Sequence, residues 1–137
     1  MSDADIDAEK IEAWRAENRR RGAVRSFSED KVAYNVEGTK EECPPEWSKK
    51  DWDEHWKYCT GENLTEQTCA SCGCVLTSSI RVGAHVRLYG EPEDNMAWIV
   101  LYCKSCNNSD QVQKVTKGSW LVRTQMSKIR KNVAPVK

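Results

Sequence analysis

The sequence predicts a small α+β domain that a metal ion holds together. Two Cys-x-x-Cys pairs, Cys69 with Cys72 and Cys103 with Cys106, have 30 residues between them. That interval contains two segments rich in Val, Ile, Leu and aromatic residues, as the strands of a β-hairpin would be. Helical patterns precede the first pair, so the chain combines helices with a hairpin.

The length and composition predict one domain with a small core. The chain has 137 residues, of which 39% are hydrophobic and 31% are charged. A core of that size is often stabilised by a metal ion or by disulfides. No apolar run reaches the roughly 18 residues that span a membrane, and the acidic residues 1–5 lack the apolar segment of a secretory signal. We therefore expect a cytoplasmic protein whose reduced cysteines bind metal.

The spacing of the cysteines predicts a structural zinc site made of Cys69, Cys72, Cys103 and Cys106. Two thiolates three positions apart bind one ion only if the chain turns tightly between them, and Gly73 permits such a turn. Four thiolates complete a tetrahedral site, and a site with no open position is structural. An iron–sulfur cluster accepts the same four cysteines and is the main alternative metal group.

A fifth cysteine, Cys74, is close enough in sequence to be an alternative metal ligand. It could replace Cys72, although Cys72 followed by Gly73 fits a zinc knuckle better. Cys43 and Cys59 stand at no metal-binding spacing, and we expect them to be spare thiols.

The predicted hairpin consists of residues 75–88 and 96–102, joined by the turn-forming residues 90–95. Residues 107–115 then predict a short helix, and residues 120–122 a final short strand. The domain boundaries follow: a polar N-terminal helix at 1–22, a linker at 23–46, a zinc-binding domain at 47–127 with its core at 69–112, and a basic tail at 128–137.

Two helices are predicted ahead of the metal site. In residues 3–22 acidic side chains come first and arginines last, which suits the helix dipole, but the apolar stripe is thin. Such a helix docks weakly, pairs with a partner or frays. The linker after it could hold a short strand at 32–36.

Three tryptophans mark the second predicted helix, at residues 48–58. Trp52 and Trp56 are four positions apart and share a helix face, and Trp47 stands just before it. Packing in the core is the default interpretation. Exposed rings that stack on bases or contact a protein are the alternative. We expect His55, on the same helix, to be a surface residue.

Charge is distributed unevenly although the net charge is zero. Residues 26–66 contain 11 acidic and 5 basic residues, and residues 103–137 contain 8 basic and 1 acidic. The basic end could bind an anionic partner, or the two ends could attract each other within one fold. The candidate basic surface consists of Lys104, Lys114, Lys117, Arg123, Lys128, Arg130 and Lys131.

The motifs together resemble the zinc-stapled HNH endonucleases. The likeness rests on the Cys69-x-x-Cys72-Gly73 knuckle, on Ala84-His85-Val86 in the hairpin and on Cys103-x-x-Cys106-Asn107, and it covers residues 69–112. It implies a treble-clef-like ββα-metal fold. In the family the hairpin histidine is a general base, the residue before it is acidic, an asparagine orients the histidine, and the closing helix completes a catalytic ion site.

The sequence departs from that family at the catalytic positions. His85 matches the histidine, but Ala84 stands where the acid belongs and Trp98 stands near the asparagine position. Asp110 falls near the helix position and could be one ligand. Phosphodiester cleavage by such enzymes requires a bound metal ion, and one histidine with one carboxylate offers too few ligands to hold it. We therefore expect a catalytically silent relative, in which His85 has a backbone partner or, alternatively, joins Cys74 at the metal.

Three functions are compatible with these features. The first is a non-enzymatic zinc-binding module that binds nucleic acid through the basic surface or a protein through Trp47, Trp52 and Trp56. The second is an active HNH-type nuclease that uses His85 and Asp110. The third is a small regulatory or inhibitory protein of a mobile element. A structural Zn²⁺ is the one cofactor implied, and no membrane partner is expected.

Overall fold

The computed structural model describes residues 8–36, 51–92, 97–109 and 111–124. Within these ranges the chain forms helices and short strands. The helices are α1 (Ala8–Arg20), α2 (Trp52–Thr60) and α3 (Lys104–Asn107), with a 3-10 turn at Leu64–Glu66. The strands are β1 (Val24–Arg25), β2 (Lys31–Asn35), β3 (Arg81–Leu88), β4 (Trp98–Cys103), β5 (Gln113–Val115) and β6 (Leu121–Arg123).

The strands form one antiparallel sheet in the order β1–β6–β4–β3–β2–β5. Its longest pairing joins β3 to β4, from Arg81 opposite Cys103 to Val86 opposite Trp98. This pairing confirms the predicted hairpin, and the helices and sheet together confirm the α+β class. No helix in the described ranges is both long enough and apolar enough to cross a membrane.

β4 is the centre of the core. All six of its side chains are buried, and successive side chains of a strand point to opposite faces, so both faces of the sheet are covered there. The sheet also curves, because the Tyr102 hydroxyl of β4 donates a hydrogen bond to the Lys114 carbonyl of β5 over 3.0 Å. β5 lies at the far edge of the sheet, and this bond brings it back to the central strand.

α2 covers one face of the hairpin at very close range. A Cβ atom on Gly83 of β3 would lie 2.5 Å from the backbone nitrogen of Asp53, so glycine is what allows the helix to touch the strand. Two bonds fix the helix in place. The Arg81 guanidinium pairs with the Asp53 carboxylate at 3.0 Å, and the Trp56 indole N–H donates to the Trp120 carbonyl at 2.8 Å.

α1 docks against α2 through few residues. Trp14 is fully buried, and its ring meets Tyr58 edge-on at 5.6 Å between centroids. The Arg15 guanidinium donates to the Tyr58 carbonyl at 2.7 Å, and Arg19 donates to the Thr60 carbonyl at 3.1 Å. The thin apolar stripe seen in the sequence therefore docks the helix with help from arginine–carbonyl bonds.

Two segments differ from the sequence expectation. Residues 23–36, assigned to a linker, contain β1 and β2, which pair with β6 and β3. Residues 107–115, expected to be a helix, contain the end of α3 and the strand β5. These strands have two to five residues each, too few for a period to show in the sequence, and neighbouring strands supply their stability. The linker residues 37–46 lie outside the described ranges.

Gly83→Ala should destabilise the fold. The added methyl group must displace the α2 backbone, and overpacking of this kind costs typically 1–3 kcal/mol; we expect the free energy of unfolding to fall by about 3 kcal/mol in denaturant titration. Gly90→Ala is the control, because its methyl group would meet open space. It should cost only about 1–2 kcal/mol for the positive φ. Equal losses in the two variants would show that the contact between α2 and β3 is loose.

Candidate functional site

Four of the predicted ligands form one compact group. The sulfur atoms of Cys69, Cys72, Cys103 and Cys106 all lie within 4.8 Å of one another, so the group could hold a metal ion. The sulfurs of Cys72 and Cys103 are 3.8 Å apart. Thiolates about 2.3 Å from a tetrahedral zinc ion would be separated by about 3.8 Å. The donor set and this spacing therefore fit a four-coordinate ion.

The first pair sits on a tight knuckle. The Gly73 amide donates to the Cys69 carbonyl at 2.9 Å, and the Cys69 amide donates to the Cys74 carbonyl at 2.8 Å. Gly73 has φ +83°, a conformation that costs residues with a side chain about 1–2 kcal/mol. The turn aims the sulfurs of Cys69 and Cys72 at one point.

The second pair is placed by the end of the hairpin. Cys103 is the last residue of β4 and the N-cap of α3, and Cys106 lies in that helix. The Cys103 amide donates to the Cys69 sulfur at 3.3 Å. The side-chain amide of Asn35, at the end of β2, donates to the Cys106 and Ser109 carbonyls, both at 3.0 Å. A strand that the sequence assigned to a linker thus supports the second half of the site.

Bonds to β4 and to the chain around β5 hold the knuckle itself. The Ala70 amide donates to the Leu101 carbonyl at 3.0 Å, and the Thr116 amide donates to the Ala70 carbonyl at 2.9 Å. The Ser71 hydroxyl donates to the Gln113 side-chain oxygen at 2.6 Å. The knuckle is thereby held by β4 on one side and by the chain around β5 on the other, and this limits the motion of its thiols.

The thiols differ in acidity. The Cys74 backbone amide and then its thiol donate to the Cys72 sulfur, which lowers the pKa of Cys72 to about 6. The same contact with Cys72 raises the pKa of Cys74 to about 12, and burial raises the pKa of Cys106 to about 12. Of these three thiols, Cys72 is the most ready to act as a thiolate. Cys74 acts as a donor to it and stands outside the four-sulfur group.

His85 lies beneath α2 rather than in an open cleft. Its ring meets Trp52 edge-on at 4.6 Å, and its carbonyl accepts a hydrogen bond from the Val36 amide at 3.0 Å. The neighbouring Ala84 points to the other face of the strand and is 1% exposed. The position of the family's acidic ligand is therefore filled by a core methyl group. Asp110 lies outside the described residues.

Trp98 fills the other position at which the sequence departs from the nucleases. It is fully buried, and its indole N–H donates to the Glu91 carboxylate at 3.0 Å. The Arg123 guanidinium stacks over the ring at 3.6 Å from its centroid and pairs with Glu91 at 3.3 Å. Trp98 thus anchors a buried aromatic–charge cluster.

His55, expected at the surface, is fully buried instead. Its Nε2 lies 2.9 Å from the Arg123 carbonyl, so Nε2 carries the proton and donates, and its Nδ1 lies 4.0 Å from the Cys59 sulfur. Its ring also meets Trp52 edge-on at 5.3 Å. Trp52 lies three residues before His55 and Cys59 lies four residues after it, so all three side chains share one face of the helix. This spacing is the sequence signal that could have predicted the burial of His55.

The candidate contact residues have different environments. Trp56 is 2% exposed, which favours core packing, and Trp52 is half-buried between the two histidines. Lys104, Lys114 and Lys117 are exposed. Arg123 is committed to Glu91 and Trp98. The remaining candidates, Trp47, Lys128, Arg130 and Lys131, lie outside the described residues.

A cleft of about 350 Å³ opens beside the knuckle. One wall is the knuckle with residues 67–70, and the opposite wall is the loop 116–120 between β5 and β6. Trp56 and Trp120 contribute aromatic surface, and Gln67, Thr68 and Ser119 contribute polar groups. The volume lies at the small end of the range for ligand pockets.

Comparison with known proteins adds no relative. No family model matches the chain. No curated protein matches it, and no solved structure does. The site must therefore be interpreted from its own geometry.

Substituting the clustered cysteines should release the metal. Cys103→Ser and Cys72→Ser each remove a ligand, and we expect metal affinity to fall more than about 100-fold, since losing only a supporting hydrogen bond costs about 10- to 100-fold. Chelator competition and metal analysis of the purified variants measure this. Cys74→Ser is the matched control and should retain one ion per chain. If Cys74→Ser loses the metal and Cys72→Ser keeps it, then Cys74 is the fourth ligand and Cys72 is not.

Acidification should weaken the fold through His55. Burial lowers the pKa of His55 below its ordinary value of 6.5, so below pH 6.5 the unfolded chain binds a proton that the folded chain excludes. The free energy of unfolding then falls by up to about 1.4 kcal/mol per pH unit, and this stability is fully present above pH 6.5. Denaturant titrations at pH 7.5 and 5.5 of the wild type and His55→Gln measure it. The variant should lose less stability; equal losses would contradict a buried neutral His55.

Proposed function

We propose that this protein is a non-enzymatic zinc-binding module that binds a nucleic-acid or protein partner. The observation that carries the proposal is the four-sulfur group, which could supply every ligand of a closed tetrahedral site and would then leave no position for substrate or water. In this account the ion is Zn²⁺, its role is structural, and the protein works in the cytoplasm.

The sequence of elements supports a treble-clef-like scaffold related to the HNH nucleases. The knuckle comes first, the β3–β4 hairpin follows, and α3 begins at Cys103 and contains Cys106. The ion connects the two ends of this unit. Structural zinc binding is worth on the order of 10–16 kcal/mol at neutral pH, which is comparable to the whole stability of a small domain.

The surroundings of His85 support a scaffold without catalysis. A nuclease of this kind needs a second ion that neutralises charge on the phosphate. Ala84 offers no ligand, and the side chain that precedes the histidine is buried in the core. Trp52 covers the histidine ring. A substrate phosphate would have to displace α2 to reach it.

A nuclease assay tests the absence of catalysis. The wild type and His85→Ala are incubated with DNA and with RNA in Mg²⁺ or Mn²⁺, and we expect neither protein to cut above background. Cutting by the wild type that disappears in His85→Ala would establish the nuclease and overturn the proposal.

A pull-down tests the binding function. The tagged chain, loaded with zinc, is used on lysate with and without nuclease treatment, beside Cys103→Ser as the metal-free control. We expect a specific partner that the metal-free variant fails to retain. A wild type that retains no more than the control would contradict a binding module.

A further inference from the structure

A cluster of cations and aromatic rings lies where α1, β1 and the β5–β6 loop meet, away from His85. The Arg25 guanidinium lies over the Phe27 ring at 4.6 Å from its centroid, and the Lys31 ammonium lies over the same ring at 4.8 Å. The Arg19 guanidinium lies over the Trp120 ring at 5.7 Å. Together with Lys117, these residues are called the cationic–aromatic strip.

Backbone bonds bring the segments of the strip next to one another. The Gly118 amide donates to the Phe27 carbonyl at 2.9 Å, which joins the β1–β2 loop to the β5–β6 loop. The Lys117 amide donates to the Asp30 carboxylate at 2.8 Å. β1 pairs with β6, with Arg25 opposite Leu121, the residue after Trp120. The segments that carry Phe27 and Trp120 are therefore neighbours in the fold.

The side-chain charges of the strip form no ion pair within the described residues, although the Asp30 carboxylate accepts a hydrogen bond from the Lys117 backbone amide. Four described arginines pair with carboxylates: Arg15 with Glu12, Arg20 with Glu17, Arg81 with Asp53 and Arg123 with Glu91.

In the strip, no carboxylate of the described residues lies at ion-pair distance from Arg25, Lys31 or Lys117. Two of these cations converge on one ring, where like charges repel each other. Glu29 and Asp30 lie in the same loop but form no ion pair with these cations, so an anionic partner would still relieve that repulsion.

The cleft beside the knuckle adjoins the strip. Lys117, Gly118 and Trp120 line the cleft, and the Gly118 amide also bonds to Phe27. The loop 116–120 therefore lies between the cations and rings of the strip on one side and the polar groups of the cleft on the other. This arrangement suits a ligand that alternates negative charges with flat rings.

We propose that the cationic–aromatic strip binds single-stranded nucleic acid. Phosphates pair with Arg19, Arg25, Lys31 and Lys117, bases stack on Phe27 and Trp120, and one unstacked base enters the cleft. Aromatic rings beside cations are how proteins bind single strands without sequence preference. A duplex hides the faces of its bases, and a run of acidic side chains has no flat rings to stack. This assignment rests on the proposed binding function and names its partner class.

Fluorescence anisotropy with labelled oligonucleotides tests the assignment. The zinc-loaded full chain is titrated into 20-nucleotide oligo(dT) and oligo(U), a 20-base-pair duplex and polyglutamate, at 50 and 200 mM NaCl. We expect the single strands to bind at least about 10-fold more tightly than the duplex or polyglutamate. Affinity should fall steeply with salt.

Variants locate the binding surface. The double variant Arg25→Gln/Lys31→Gln should weaken single-strand binding about 10-fold and reduce the salt slope by about 1.4, or about 0.7 per lost phosphate contact. Phe27→Leu keeps apolar volume but loses the flat ring and should weaken binding at least about 5-fold. Lys10→Gln/Lys57→Gln removes two exposed charges outside the strip and outside the candidate basic surface, and is the matched control; its affinity should stay within about 2-fold of the wild type.

The outcomes separate this inference from the proposed function. Equal binding by the wild type and Arg25→Gln/Lys31→Gln, or tighter binding to duplex or polyglutamate, overturns the strip assignment. A nuclease-resistant protein partner with no oligonucleotide binding overturns the strip but leaves the binding module standing. Metal-dependent cutting lost in His85→Ala overturns the non-enzymatic function, whereas the strip variants still decide where the strand binds.

Discussion

The closeness of four sulfur atoms is the constraint on which the rest of the structure depends. Cys69 and Cys72 belong to a knuckle, whereas Cys103 and Cys106 belong to the end of the hairpin and the start of α3. Unpaired thiolates this close together would repel one another, so a cation is needed to keep them deprotonated and together. Because the knuckle also bonds to β4 and to Thr116, fixing the four sulfurs fixes the middle of the sheet.

The packing of α2 on the hairpin covers His85, the histidine on which the resemblance to the nucleases depends. Gly83 lets the helix approach the strand, and Trp52 then fills the space between His55 and His85. Burying these rings stabilises the core, since each aromatic side chain removes a large apolar area from water. The same packing places Trp52 against the His85 ring and leaves Ala84, which offers no ligand, in the core.

The sequence predicted the metal ligands and the hairpin because both have strong local signals. Cys-x-x-Cys spacing depends on the geometry of one turn, and β3 and β4 have apolar residues in long runs around a turn cluster. β1 and β5 have no such signal, and β2 has only the short stretch at 32–36 that could form a strand. A strand of three residues such as β5 is stable only because β2 lies beside it and Tyr102 bonds to it. The burial of His55 likewise depends on a β6 carbonyl 68 positions away.

The charges show the same division between local and long-range effects. Counting charges along the chain predicted a basic C-terminal region, yet Arg123 from that region lies over Trp98 and pairs with Glu91. The cations of the cationic–aromatic strip come from α1, β1, β2 and the β5–β6 loop, so only the folded sheet brings them together. A partner surface assembled in this way would depend on the four-cysteine group, because the β5–β6 loop is bonded to the knuckle through Thr116.

X-ray absorption spectroscopy at the zinc edge of the purified, metal-loaded chain tests the central claim most directly. The signal reports the number, type and distance of the atoms bound to the ion. This account predicts four sulfur neighbours at about 2.3 Å and no nitrogen or oxygen neighbour. A first shell that contains a histidine nitrogen or a water oxygen, or a chain that binds no zinc, would contradict a closed four-thiolate site.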